Sequence, residues 1–244
     1  MLIGIIGAME VEVAHLTARM TDTVAHSRAG RTVYTGTLEG CPVAVVRSGI
    51  GKAAAAGTAQ MLIDVFGVTA LINTGMAGGL DPRLQIKDLV VGTDAVHHDF
   101  DLTPFGYAMG YMSSDLGNGI KNEPTAFAAD PALVALALKV GPALLPPGGQ
   151  VITGRIASGD VFIDDSARKR QIRDGFHAAA TEMEGAAIAQ TAFVNQIPFL
   201  ILRVISDLAE HQANTTSEQM EQFTGDLAGK ICAAIVRELS ESGE

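Results

Sequence analysis

Four carboxylates in this 244-residue chain follow short apolar runs: Glu12, Asp160, Glu184 and Asp207. A carboxyl group gives up a proton when neutral and takes one when ionised, so several gathered in one cleft would form an acid–base site. Asp207 is the clearest case. It ends PFLILRVISD, in which Phe199, Leu200, Ile201, Leu202, Val204 and Ile205 make an almost unbroken apolar run behind Pro198. Such a run suits a strand buried on both faces of a parallel sheet, and in open α/β sheets ligands lie beyond the carboxyl ends of the strands. Each acid also has an ordinary structural reading: Glu12 serving a helix dipole, Asp160 a turn, Glu184 a helix start and Asp207 a cap for the segment after it. Four acids at strand ends would nevertheless converge on one cleft.

The elements that must position them alternate along the chain. Residues 2–6 read as a strand ending in Gly7-Ala8, and a helix begins near Glu10 with Val13 and Leu16 at helical spacing. Residues 33–38 and 43–46 read as strands separated by Glu39-Gly40, and an Ala-rich helix spans 53–66. Further strands are expected at 70–73, 89–96, 150–157, 178–181 and 199–205. Helices are expected at 131–140, around 168–173, at 185–195 and at 217–239, the last capped by Thr215 or Thr216. Residues 100–119 are aromatic and glycine-rich without a clear period. No linker, low-complexity tract or repeat interrupts this order. It implies one domain over residues 1–244, an α/β three-layer sandwich with helices on both faces of a central twisted sheet. The hairpin-like early strands make that sheet mixed.

Other motifs carry less. SGIGKAA around Gly51 and Lys52 lacks the spacing and the hydroxyl residue of a Walker loop. Gly49, Gly51 and the glycines of 75–79 read first as tight turns, with close backbone approach to a ligand as the alternative. His97, His98 and Asp99 could meet a metal, but adjacent side chains of a strand point to opposite faces, so no metal is expected.

Composition bounds the partners. At 48% hydrophobic and 18% charged residues the chain can bury a sizeable core, far from a disordered composition. A net charge of −10 argues against a nucleic-acid or anionic-membrane partner and leaves small molecules. Cys41 and Cys232 are far apart with no CxxC, which suggests neither a zinc site nor a disulfide framework and fits a reducing compartment. MLIGIIGAMEVEV lacks the basic flank of a secretory signal, and no apolar run approaches the ~18 residues of a membrane span. A cytoplasmic protein is expected.

In chain order, GIIGAMEVEV, VVRSGIGKAAAA, INTGMAGGL, DFDLTPFGY, ASGDVFI, TEMEGAAIA and RVISDLAE resemble the 5′-methylthioadenosine/S-adenosylhomocysteine nucleosidase family, from Met1 to Glu210. The resemblance implies a nucleoside phosphorylase-like fold, no cofactor, and hydrolysis of the bond between adenine and a 5′-thio-substituted ribose. Cleavage leaves positive charge on the sugar and negative charge on the purine, so an acid and a base are wanted. By the resemblance, Asp207 is the acid, protonated and donating towards N7 of adenine, and its apolar neighbourhood would raise its pKa. Glu12 would take a proton from the attacking water. Glu184 would hold the ribose hydroxyls, Phe162 stack on adenine, backbone groups at Ile163 read its edge, and Ser206 steady Asp207. Met9, Ile50 and Met183 would line the ribose and alkylthio region, with Met76, Ala77 and Gly78 completing the substrate-binding set. The family is also homodimeric, and Phe105 matches a residue that reaches the partner's 5′ pocket.

Two positions depart from the family pattern, and the stretch from Tyr111 to Asp130 is longer than is typical of it. Met76 stands where a serine is usual, and a thioether cannot donate a hydrogen bond. Ser217 stands where a large apolar residue is often found near the lid over the 5′ group. The order of preference among methylthioadenosine, S-adenosylhomocysteine, 5′-deoxyadenosine and aminofutalosine therefore stays open. A phosphate-dependent phosphorylase and a non-catalytic adenine-nucleoside binder are the competing readings.

Overall fold

A computed structural model describes residues 1–112, 122–210 and 218–242. Its centre is β10 (Phe199–Asp207), buried along its length until Asp207. The unbroken apolar run arises because both faces are covered. Phe199, Ile201 and Ile205 join the core on one side, and Leu200, Leu202 and Val204 join the core on the other. β5 (Ala70–Gly79) runs parallel beside it, from Phe199↔Leu71 to Ile205↔Ala77. β1 (Ile3–Gly7) is parallel to β5, and β4 (Cys41–Arg47) is parallel to β1.

The other half of the sheet runs the opposite way. β6 (Leu89–His97) is antiparallel to β10 and parallel to β8 (Val151–Ser158), which is parallel to β9 (Ala178–Glu182). β9 then meets β5 antiparallel at Gly78↔Thr181. The sheet thus curls until β5, β10, β6, β8 and β9 close on themselves. That closure carries the end of β9 to the end of β5, so residues after both strands face one space.

Helices form the outer layers. α1 (Glu10–Thr17), α3 (Pro131–Leu144) and α6 (Glu218–Ser242) cover one face, and α2 (Lys52–Met61) packs with α5 (Gly185–Val194) on the other. α4 (Ser166–Phe176) lies against β8 and β9. The mixed three-layer α/β architecture expected from sequence is therefore present. Among the described residues no helix is long and apolar enough to cross a membrane.

The elements differ locally from expectation in four places. β2 (Thr21–Arg28) is a largely exposed edge strand, TDTVAHSR, whose sequence has no apolar run to announce it. It pairs with β3 (Arg31–Leu38) through a turn at Ala29 and Gly30, both at positive φ. The expected strand at 70–73 continues to Gly79, so the glycines of 75–79 are strand residues and not turns. Gly49 and Gly51, at φ 83° and 99°, are turn glycines as read. The helix expected to reach residue 66 ends at Met61 and widens into a π turn, Leu62–Phe66. β7 (Phe127–Ala128) adds a short pairing to β6. The expected caps Thr215 and Thr216, and Ser217, lie outside the described residues.

Candidate active site

The converging strand ends enclose a cavity of about 400 Å³. The site residues picked from the sequence line it except Phe105 and Asp160: Glu12, Met9 and Ile50; Met76, Ala77 and Gly78; Phe162 and Ile163; Met183 and Glu184; Ser206 and Asp207. Phe105 sits in a short 3₁₀ turn and is 76% exposed.

Glu12 is placed by α1, which starts directly beyond β1. Its Oε2 accepts from the N–H of Ala8 (2.6 Å) and Met9 (2.9 Å), and Oε1 accepts from the N–H of Met76 (3.1 Å). Burial pushes its pKa up, against Arg203 and those three amides, which favour the ionised form. Gly75 makes this geometry possible. A Cβ at that position would stand 2.9 Å from Glu12 Cδ, so the strand must be bare where the carboxylate crosses it. Met76 serves Glu12 through its main chain, which its unusual side chain leaves intact. The thioether Sδ lies 4.0 Å from Thr224 Oγ1 on α6.

Asp207 ends β10 in a different setting. Oδ2 accepts from Ser206 Oγ (2.9 Å) and Oδ1 from the N–H of Ala209 (2.8 Å). Burial raises its pKa, with that amide, the Ser206 hydroxyl and distant Lys169 opposing. Asp207 has one amide and one hydroxyl, whereas Glu12 has three amides and a nearby guanidinium. The groups that favour the charged form are therefore more numerous at Glu12 than at Asp207, while burial raises both.

A buried ionic cluster lies beneath the cavity. Arg203 Nη2 donates to Asn73 Oδ1 and Glu182 Oε2, and Nη1 donates to Leu202 O (3.0 Å). Glu182 also accepts from Ser158 Oγ, and from the N–H of Glu184 (3.1 Å) and Gly185 (2.8 Å). Burial alone would raise Glu182, but Arg203, Ser158 and the Gly185 amide outweigh it and hold it below the usual carboxylate range. Glu184 goes the other way, pushed up to about 7 by burial and then by the Glu182 charge. Its Oε1 accepts from the N–H of Gly51 (2.9 Å), which ties the start of α5 to the start of α2.

The fourth strand-end acid does not join this cavity. Asp160 Oδ1 accepts from the N–H of Lys52 (2.8 Å) at the start of α2, a structural role at a helix start and not the turn expected for it. Nearby, Lys52 Nζ pairs with Asp99, whose other oxygen accepts from the N–H of Asp160 (2.8 Å). His97 is turned to Gln190 Oε1 (3.1 Å), and burial lowers its pKa to about 4.

Sequence reasoning passed over Arg203 and Glu182. A signal for Arg203 existed: a lone cation inside a run buried on both faces requires an anionic partner. Glu221, on the first turn of α6, also lines the cavity, and nothing in its sequence surroundings marked it.

Comparison with known proteins adds an independent line. The phosphorylase superfamily model matches residues 2–241. A 5′-methylthioadenosine/S-adenosylhomocysteine nucleosidase of Shewanella denitrificans is 40% identical over 98% of this chain and 100% of its own length. The crystal structure of the corresponding nucleosidase of Colwellia psychrerythraea, in complex with adenine, superposes with a TM-score of 0.89 at 39% identity, covering 98% of this chain and 96% of that one. A futalosine hydrolase of Helicobacter pylori has the same fold, with a TM-score of 0.87 at 30% identity and 97% coverage of both chains.

Proposed function

The chain belongs to the phosphorylase superfamily and, within it, to the 5′-methylthioadenosine/S-adenosylhomocysteine nucleosidases, and on that premise we propose the roles its residues play. The reaction is hydrolysis of the bond between N9 of adenine and C1′ of a 5′-thio-substituted ribose. Asp207 donates its proton to N7, so adenine leaves neutral. Glu12 takes a proton from water as the oxygen bonds to C1′, and the two events together release adenine and a 5-thioribose. Glu184 accepts from the ribose hydroxyls, Phe162 covers the base, Ile163 reads its edge, and Met9, Ile50 and Met183 surround the sugar and its thioether. The observation that supports this reading is the pair Asp207 and Glu12 on one cavity, with donors that favour the charged form more numerous at Glu12.

The lining also favours water over phosphate. Among the described residues it contains Glu12, Glu182, Glu184, Asp207 and Glu221, and no arginine or lysine. Such a wall stabilises an oxocarbenium-like centre and repels a phosphate dianion. Adenine release from methylthioadenosine should therefore proceed at full rate in phosphate-free buffer. A rate that appears only when phosphate is added would assign a phosphorylase instead.

Gly75→Ala tests the seat of Glu12. The added methyl must displace a carboxylate pinned by three amides. A misplacement near 1 Å costs on the order of 10²-fold in rate. The expected result is a fall of that size in kcat with the far-ultraviolet spectrum unchanged, and wild-type turnover would refute the assignment of Glu12.

A homodimer in which Phe105 completes the partner's 5′ pocket accords with the exposure of Phe105 (76%) and Ile50 (59%). Cys41 and Cys232, both buried free thiols, suit a cytoplasmic protein.

A further inference from the structure

Two motifs outside the cavity, His98-Asp99 just beyond β6 and Gly51-Lys52 at the start of α2, meet at the loop that carries Phe162 and Ile163. That loop, residues 159–163, joins β8 to the turn before α4. It is buried at its ends, Gly159 and Ile163, but Val161 is 37% and Phe162 52% exposed. Apolar burial therefore does little to place its middle, and other contacts must.

Those contacts form a closed ring. Asp99 Oδ2 accepts from the N–H of Asp160 (2.8 Å), Asp160 Oδ1 accepts from the N–H of Lys52 (2.8 Å), and Lys52 Nζ donates back to Asp99 Oδ1. The Lys52 and Asp99 side chains are only 19% and 22% exposed, so their attraction is screened less than that of a surface pair. Burial alone would raise the pKa of Asp99, but Lys52 and the Asp160 amide outweigh it and hold the carboxyl below its usual range. The acceptor at the loop is thus a charged one, which makes the stronger hydrogen bond. Gly159 is bare because the His98 ring lies against it, where a Cβ would stand 2.3 Å from Nε2. The neighbouring N–H at the start of α2, that of Gly51, holds Glu184 (2.9 Å). One helix end therefore registers the loop against the carboxylate placed at the ribose.

We propose that Asp99 and Lys52 are positioning residues for the nucleosidase reaction: they fix the 159–163 loop so that Phe162 and Ile163 form the adenine seat before substrate arrives, in register with Glu184. This rests on the roles given above to Phe162 and Ile163 and deepens them. A preformed seat needs no ordering when the base binds, whereas a seat present about a tenth of the time raises the apparent dissociation constant about tenfold. The effect falls on binding, because a bound base draws the loop back into place.

Asp99→Ala is expected to raise KM for methylthioadenosine about tenfold and to leave kcat within about threefold of the wild type. The inhibition constant of adenine should rise by the same factor, while that of 5-methylthioribose, which lacks the base, stays unchanged. A role confined to folding would lower kcat through the active fraction and would move neither inhibition constant. Lys52→Met keeps the main-chain N–H for Asp160 and leaves the Asp160 amide on Asp99, so its KM should rise only about threefold. Lys52→Arg should restore the wild-type value. The lysine variants answer even if Asp99→Ala folds poorly. An unchanged adenine inhibition constant in Lys52→Met and in folded Asp99→Ala, or equal weakening of adenine and 5-methylthioribose, overturns the positioning role. An unchanged adenine inhibition constant in Phe162→Ala would instead overturn the placing of the base at this loop.

Discussion

Asp207→Asn is expected to slow adenine release by about 10²–10⁴-fold, the usual contribution of a positioned general acid. The amide keeps the shape and an oxygen for the Ala209 N–H but has no acidic proton to give. The pH profile supplies the sign. Burial raises the pKa of Asp207, so the wild type keeps its acid protonated above the usual carboxylate range and kcat/KM falls as pH rises through that raised value. On the acid side, kcat/KM falls as pH drops through the raised pKa of Glu12, which must be ionised to take a proton. Asp207→Asn should therefore remove the alkaline limb and leave the acid limb.

The same substitution should not weaken the fold. A carboxyl group whose pKa is raised by folding costs stability once pH exceeds its unfolded value, and the neutral amide carries no such penalty. The melting temperature at pH 8 should be equal to or higher than that of the wild type. An Asp207→Asn enzyme with wild-type turnover would remove Asp207 from the acid's role, and a lower melting temperature at pH 8 would overturn the stability expectation.

How much of this was readable in advance differs from element to element. The run at 199–205 was legible because burial on two faces leaves no polar positions, and residue type alone then marks the strand. Asp207, Glu12 and Glu184 were legible as strand-end acids, but residue type could not separate them from Asp160. All four follow apolar runs, and only the curling of the sheet decides which faces the cavity. β9 reaches the end of β5 through a pairing at Gly78↔Thr181 that no local pattern encodes. β2 was hidden for the opposite reason, since an exposed edge strand has no hydrophobic period to read. The glycines of 75–79 read as turns from propensity, whereas Gly75 is bare because the Glu12 carboxylate lies across it and Gly78 because Asp207 Oδ1 would be 3.0 Å from a Cβ there.

Arg203 was the largest omission, and its removal should have the largest effect on stability. Arg203→Met is expected to lower the unfolding free energy by about 3–5 kcal/mol at neutral pH, the range for breaking a buried ion pair from one side. Methionine fills the volume but leaves Glu182 buried without its cation, and it also withdraws the favourable field at Glu184 and Glu12. Glu182→Gln should cost less, because Arg203 keeps Asn73, the Leu202 carbonyl and the charges of Glu184 and Glu12. The asymmetry has a pH signature. In the wild type the depressed pKa of Glu182 contributes stability above the ordinary carboxylate range, and that stability is lost as pH falls through the depressed value. Without Arg203 the same carboxyl group is pushed up by burial, so its penalty appears as pH rises through the ordinary range. The deficit of Arg203→Met relative to the wild type should thus be larger at pH 8 than at pH 5, as measured by thermal melts. A deficit that is constant with pH would mean that Arg203 matters for packing and not for the charge it brings to the base of the site.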